Sequence, residues 1–193
     1  MGTLNAAGKF QAAFFQSVTT RTAGFASISQ SGLTNGSKLL ACMLMIVGGS
    51  PAGTAGGIKT TTVAVLLLTA ISVLRGNKDT ECYGRKITFE IIRVGITITL
   101  VTFVFWLFGV TVMTVIEPQQ KVLDLMFEAT SAMATVGLTG DLTPLLSDIS
   151  HVVLMLMMYI GRIGPMTMAL IFSGHVDKKN QFRTLPEAKI MVG

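Results

Sequence analysis

The chain has 193 residues, of which half are hydrophobic and only 13% are charged, with a formal net charge of +5. A soluble domain of this length usually carries about twice that share of charged residues. The basic residues are concentrated in two segments and are not patterned for nucleic acid. Composition therefore excludes an ordinary soluble domain and a nucleic-acid-binding protein, and it indicates an integral membrane protein.

The first apolar element covers about residues 10–20 and is followed by a Thr-x-Gly turn. An element of the same kind covers residues 122–133, again followed by a Thr-x-Gly turn. A shift of 113 residues superposes the two copies, pairing Phe14 with Phe127 and Gly24 with Gly137. Both segments are too short to cross a bilayer, which indicates re-entrant or interfacial structure. Internal repeats of this kind are frequent in transport proteins.

The two turns are predicted to form a cation selectivity filter. Their residues are Thr22, Ala23 and Gly24 in the first copy and Thr135, Val136 and Gly137 in the second. Backbone carbonyls in an extended turn can replace the hydration shell of a cation, and glycine permits the backbone angles that this requires. The alternative is an ordinary helix end at each glycine, but two such turns in register favour the filter.

A long apolar run, residues 39–74, contains the glycine-rich stretch "GGSPAGTAGGIKTTT". As one helix it would be ~50 Å long, well beyond the ~30 Å hydrocarbon core, so Pro51 and the glycines are predicted to break it. A nucleotide-binding loop is excluded because Ile58 occupies the place of the second required glycine. The predicted break forms a gate, with a simple kink as the alternative; its residues are Gly49, Ser50, Pro51, Gly53, Thr54, Gly56 and Gly57.

The distribution of basic residues predicts the orientation of the chain in the membrane. The loop 75–93 and the C-terminal tail are basic, whereas the segment 117–147 has a single basic residue, Lys121. Cytoplasmic loops are the basic ones. We therefore expect spans at 94–116 and 149–173, with the loop 75–93 and the tail in the cytoplasm.

Arg162 lies in the second of these spans, at the place that Gly49 occupies in the first copy. A charge near the middle of a span is costly, so Arg162 is expected to face the protein interior. We expect it to hold the broken loop through the freed carbonyls or to form an electrostatic barrier below the filter. The alternative is a packing role without influence on ion flux. No catalytic set or metal-ligand spacing is apparent, so the sequence does not indicate an enzyme.

Four motifs together resemble the KtrB family of potassium-translocating subunits, within the Trk/Ktr/HKT superfamily of cation transporters. They are "SVTTRTAGF", "GGSPAGTAGGIKTTT", "GRIGP" and "PEAKIMVG". The resemblance covers the chain from about Lys9 to Gly193. It implies an all-α membrane fold of four M1–P–M2 units around one pore, each with a re-entrant pore loop that contributes a filter glycine.

By this resemblance the chain holds about one and a half of the four units. Residues 1–74 are the third unit's pore loop and broken M2 helix, and 75–93 are a cytoplasmic loop. Residues 94–173 are the fourth unit, and 174–193 are a cytoplasmic tail. Gly24 and Gly137 are the filter glycines of these units, the stretch 48–58 is the gating loop, and Arg162 is the arginine near it.

The resemblance further implies K⁺ transport across the cell membrane, commonly dependent on Na⁺, by a homodimer in the lipid bilayer. It also implies a cytoplasmic nucleotide-binding partner, KtrA, which carries the ATP, and no cofactor in this chain.

The first two units and the first helix of the third are absent from this sequence. The chain is therefore expected to be a fragment or split half-subunit that needs a separate N-terminal half, unless two copies complete one pore. A secondary transporter with discontinuous helices for another substrate is a further alternative.

Overall fold

The computed structural model describes residues 5–51, 55–77 and 79–164. Within these ranges the chain forms α-helices and one short β-hairpin. The helices are α1 (Ala6–Thr19), α2 (Asn35–Ile46), α3 (Thr60–Leu74), α4 (Phe89–Ile116), α5 (Val122–Met133) and α6 (Asp148–Ile163). The antiparallel hairpin pairs β1 (Glu81–Cys82) with β2 (Arg85–Lys86), and a 3₁₀ turn covers Thr143–Leu145. The predicted tail 174–193 and the end of the span predicted at 149–173 lie outside the described residues.

Helix α4 is the one described helix whose length and composition would allow it to cross a membrane. It has 28 residues and begins at Phe89, inside the segment 75–93 that the sequence assigned to a loop. The helix therefore contains the apolar run 94–116 and begins before it, and the bounds of the membrane span stay a prediction. The first two turns include the charged residues Glu90 and Arg93, and the Glu90 carboxylate interacts favourably with the helix dipole there.

The apolar run 39–74 forms two helices rather than one, and α2 ends at Ile46 while α3 begins at Thr60. Backbone hydrogen bonds join the two ends. The amide of Gly48 donates to the carbonyl of Ile58 at 2.8 Å, and the amide of Ile58 donates to the carbonyl of Ile46 at 3.0 Å. We call the segment between the two helices the 47–59 loop; the structure describes its residues 47–51 and 55–59. Gly53 and Thr54 of the predicted gate lie outside the described residues.

Helix α5 is the centre of the packing and contacts α2, α4 and α6. Its side chains are buried at Leu125 and then without interruption from Phe127 to Met133. Helix α1, its counterpart in the repeat, is buried only at Thr19, and its large apolar side chains such as Phe10 and Phe14 are exposed. The two copies thus have similar local structure but different surroundings.

Helix α6 approaches the end of α5 very closely at Gly161. A Cβ atom on Gly161 would overlap the carbonyl oxygen of Met133, so only glycine permits this backbone contact. The side chain of Met157, one turn earlier, fills the space beside Gly109 of α4. Small residues at helix contacts of this kind allow backbones to come close in membrane proteins. The contact fixes the position of the turn that follows α5.

Candidate functional site

The turns that follow α1 and α5 share an unusual backbone conformation. In the first turn φ is 62° at Thr22 and 75° at Gly24, and in the second it is 53° at Thr135 and 90° at Gly137. The middle residue of each turn keeps a negative φ. A positive φ is rare for a β-branched residue and costs on the order of 1–3 kcal/mol. The same strained pattern in both copies shows that the sequence repeat extends to the backbone.

The two turns lie against each other. A Cβ atom on Gly24 would overlap the carbonyl oxygen of Val136 and would lie 3.6 Å from the Cα of Gly137. Conversely, a Cβ on Gly137 would lie 3.9 Å from the Cα of Gly24. Glycine at position 24 is therefore what lets the two backbones meet, whereas at position 137 a Cβ would make ordinary contact and glycine is favoured by its φ of 90°. The structure brings together the two segments that the sequence singled out, 113 residues apart.

The 47–59 loop contacts the second turn. A Cβ atom on Gly56 would lie 2.6 Å from the carbonyl oxygen of Ala134 and would overlap the hydroxyl of Thr135. That hydroxyl is the one buried side-chain polar atom without a hydrogen-bond partner among the described residues. Leaving such a group unpaired costs about 1–3 kcal/mol. An unpaired oxygen therefore lies at the junction between the loop and the turn.

Glycine is also needed inside the 47–59 loop. A Cβ on Gly48 would overlap the carbonyl oxygen of Gly56, and Gly57 has φ of 71°. The side chain of Lys59 donates a hydrogen bond back to the carbonyl of Ala55. Of the other predicted gate residues, Gly49 accepts a hydrogen bond from the amide of Thr60, and Ser50 and Pro51 are exposed. The described part of the loop is thus folded on itself and on the second turn.

Glu128 of α5 was not identified by the sequence analysis. Its carboxylate is 5% exposed and accepts hydrogen bonds from the hydroxyl of Thr139 (2.6 Å), the amide of Gly140 (2.8 Å) and the hydroxyl of Thr143 (2.8 Å). A buried charge requires such partners. The available indication in the sequence was an acidic residue inside a short apolar segment, "LMFEATSAM".

Arg162 lies in the last turn of α6 and is exposed in this chain; that it faces the interior of the whole protein stays a prediction. It borders a cavity of about 740 Å³ together with Glu128, Thr135 and Gly137. The adjacent residue Gly161 is the point at which α6 packs on the end of α5. The structure therefore puts Arg162 near the second turn.

Two polar contacts join the first copy to the second, one at the start of α5 and one after the turns. Lys38 of α2, which is buried, pairs with Asp124 of α5 at 2.6 Å. The hydroxyl of Ser31 donates to the carboxylate of Asp141 at 2.7 Å. Since Ser31 and Asp141 each follow one of the turns, the segments after both turns are connected as well as the turns themselves.

Comparison with known proteins identifies the family. A family model described as TrkH, cation transport protein, matches residues 1–183. The Ktr system potassium uptake protein B of Bacillus subtilis is 36% identical over all of this chain, which covers 42% of that protein. The protein of the same name from Vibrio alginolyticus is 35% identical over 90% of this chain and 38% of its own length. The potassium/sodium uptake protein NtpJ of Enterococcus hirae is 36% identical over 93% of this chain and 41% of its own length.

The chain thus spans about two-fifths of the length of these relatives. The resemblance to the KtrB family that the motifs indicated is confirmed. The expectations of an all-α membrane protein and of a protein that is not an enzyme agree with the family, whose members are cation transport proteins. By the match over residues 1–183, this chain belongs to the TrkH family of cation transport proteins.

Proposed function

We propose that this chain forms part of the ion-conducting subunit of a K⁺ uptake system and that the two Thr-x-Gly turns line its cation path. The observation that carries the proposal is the contact between Gly24 and the segment Val136–Gly137. Two segments far apart in sequence, with the same strained backbone, meet where only glycine fits. Two ordinary helix ends would not require such a close contact between their backbones.

In the proposed filter, backbone oxygens of Thr22 to Gly24 and of Thr135 to Gly137 replace the water around K⁺. The alternation of positive and negative φ supports this role, because it can turn successive carbonyls to one side. Helices α1 and α5 end directly before the turns, so their partly negative C-terminal ends add to the attraction for a cation. The unpaired hydroxyl of Thr135 is a further oxygen that a cation could use.

In the proposed gate, the 47–59 loop obstructs the path where Gly56 meets Thr135 and must move before a cation passes. The gate comprises Gly49, Ser50, Pro51, Gly53, Thr54, Gly56 and Gly57. The short stem between Gly48 and Ile58 supports a motion of the loop alone, because these hydrogen bonds can persist while the rest is displaced. Arg162 adds positive charge beside this passage.

The proposed architecture assigns α4, α5 and α6 to the M1, pore and M2 helices of a fourth unit, residues 94–173 with the helix start moved to Phe89. Helix α1 is then the pore helix of a third unit, residues 1–74, and α2 and α3 form its broken M2 helix. The loop 75–93 and the tail 174–193 are cytoplasmic. Two further units complete the pore, consistent with the greater length of the relatives.

K⁺ is the proposed substrate, with Na⁺ as a second cation, since the relatives are named for potassium or for potassium and sodium uptake. The "Ktr system" in two of those names supports an assembly with other subunits. We therefore propose a homodimer in the cell membrane with a nucleotide-binding KtrA-type partner that carries the ATP.

Uptake of K⁺ by a bacterium that lacks its own uptake systems tests the proposal. The chain is expressed alone and together with the N-terminal part of the Bacillus subtilis protein that precedes the matching region. We expect uptake in the second condition, its loss in Gly137→Ser, and no change in Gly36→Ala, where an added methyl group meets nothing within 4 Å. Uptake that persists in Gly137→Ser contradicts the filter, and no uptake in either condition favours a non-conducting fragment.

A further inference from the structure

We propose that Glu128 is a positioning residue of the cation path. Its buried carboxylate holds residues 139–143, the segment that follows the second turn, and so sets where the carbonyls of that turn lie. The inference rests on the proposed function, because it gives Glu128 a role in cation selectivity. It concerns a residue that does not itself touch the cation.

The three hydrogen bonds to Glu128 converge from one short segment. Thr139 and Gly140 donate to one carboxylate oxygen and Thr143 donates to the other. The hydroxyl oxygens of Thr139 and Thr143 lie 3.0 Å apart, each donating its proton to the carboxylate. Thr139 is two residues from Gly137, so there is little freedom between the anchored segment and the turn. Hydrogen bonds to a charged group are roughly twice as strong as those between neutral groups.

The anchored segment continues to the other copy. Asp141 lies within it and accepts a hydrogen bond from Ser31, which follows the first turn. A displacement of residues 139–143 would therefore be transmitted to both turns. Glu128 also borders the cavity that Thr135 and Gly137 line, so its negative charge acts close to the proposed path.

The repeat supports the inference because the first copy has a connection of the same kind. Gln16 of α1 and Gln30 hydrogen-bond through both amide groups, at 2.6 and 3.1 Å, and Gln30 is 2% exposed. The shift of 113 residues aligns Gln30 with Thr143. The two bonds span 14 and 15 residues in sequence. Each helix is thus tied to the segment after its turn, by neutral amides in one copy and by a carboxylate in the other.

Two variants distinguish the effect of the hydrogen bonds of Glu128 from the effect of its negative charge. In Glu128→Ala all three hydrogen bonds are lost. In Glu128→Gln the amide oxygen still accepts from Thr139 and Gly140, and the amide nitrogen can donate to the hydroxyl of Thr143. The matched control is Glu117→Ala. Glu117 also accepts hydrogen bonds, from Ser147 and Ser150, but it lies at the C-terminal end of α4 and not at the turns.

The first measurement is the ratio of Rb⁺ to Na⁺ uptake, under whichever condition above gives uptake. We expect this ratio to fall about tenfold in Glu128→Ala, the effect of one or two lost charge-assisted hydrogen bonds on placement of the carbonyls. It should fall less in Glu128→Gln and stay unchanged in Glu117→Ala. A loss of folded protein alone would lower uptake of both cations equally and leave the ratio unchanged, which would overturn the inference.

The second measurement does not depend on transport. Hydrogen–deuterium exchange in the purified chain should show the amide of Gly140 protected in wild type and in Glu128→Gln. In Glu128→Ala it should exchange about tenfold faster, since its acceptor is gone. Unchanged exchange overturns the connection itself. If wild type carries no cation, the proposed function fails and with it the role in selectivity, whereas the exchange result still decides whether Glu128 anchors the segment.

Discussion

The hydroxyl of Thr135 lies against the backbone of Gly56, with no side chain between the two segments to which they belong. Thr135 belongs to the turn after α5, and Gly56 belongs to the loop between α2 and α3. Because the hydroxyl is buried there without a hydrogen-bond partner among the described residues, the contact is close but poorly satisfied. A contact of this kind is easily released, which suits the proposed movement of the loop.

Gly56→Ala should displace the 47–59 loop from the second turn. The new methyl group would overlap the Thr135 hydroxyl and crowd the Ala134 carbonyl, and overpacking of this kind costs about 1–3 kcal/mol. That cost falls only on the state in which the loop rests on the turn, so the displaced state should gain about fivefold or more in population. We expect a higher maximal K⁺ uptake rate with little change in the K⁺ concentration for half-maximal uptake. A normal amount of folded Gly56→Ala protein with unchanged or slower uptake would contradict the gate.

Gly161→Ala should destabilise the fold by separating α6 from the end of α5. Its methyl group would overlap the carbonyl of Met133, which is backbone and cannot rotate away. We expect a loss of at least about 1–3 kcal/mol in unfolding free energy, measured by denaturation in detergent micelles. The matched control is Gly95→Ala in α4, where the methyl would be in ordinary contact, 3.5 Å from Thr62. That variant should be neutral or up to about 1 kcal/mol more stable, because alanine favours a helix over glycine.

Lys38→Met should weaken the contact between α2 and α5. Without the Lys38 ammonium group, the carboxylate of Asp124 loses its partner, although its side chain is only 27% exposed. We expect a loss of about 1–3 kcal/mol in unfolding free energy. The position of Asp124 in the first turn of α5 limits the loss, since the helix dipole favours a negative charge there.

The exposed pair Lys86–Asp79 of the hairpin region provides the comparison for Lys38. Its side chains are 62% and 46% exposed, so Lys86→Met should change stability by no more than about 1 kcal/mol. The double variant Lys38→Met with Asp124→Asn should recover part of the loss, since no unpaired charge remains. Equal effects of Lys38→Met and Lys86→Met would show that burial does not strengthen the first pair.

Stability should depend on pH through Glu117, which joins the end of α4 to the start of α6. Hydrogen bonds from the side chain and then the backbone of Ser147, and from the side chain of Ser150, hold the pKa of Glu117 below its usual value of 4.5. Because the pKa is lower in the folded state, this contribution is complete above pH 4.5 and is lost as the pH falls through the folded value. Glu117→Gln should therefore be less stable than wild type at pH 7, and the difference should shrink between pH 5 and pH 3. Ser150→Ala should show a smaller pH dependence than wild type, and parallel stability curves for all three proteins would contradict this account.

Local features of the fold followed from local chemistry. The break in the run 39–74 was predictable because proline and clustered glycines disfavour a helix wherever they occur. The two short helices before the turns were predictable from apolar segments that end at a Thr-x-Gly motif. The start of α4 at Phe89 did not follow from hydropathy, which marks the uninterrupted apolar run 94–116, because the first turns of the helix include the charged residues Glu90 and Arg93.

Glu128 shows why part of the site could not be predicted. Its three donors lie 11 to 15 residues further along the chain, and nothing in the sequence indicates that the segment after the turn folds back onto α5. The position of Arg162 in this chain could not be predicted for a related reason. It depends on the face of α6 that meets α5, which the contact at Gly161 decides.

By itself the sequence determined the membrane character, the repeat, the positions of the turns and the family, because each depends on composition or on residues close together in the chain. Only the tertiary structure decided that Gly24 meets Gly137, that Gly56 covers Thr135 and that Glu128 anchors residues 139–143. Those relationships arise from packing between helices, where a missing Cβ atom or a buried carboxylate acquires its role from a neighbour that is distant in sequence.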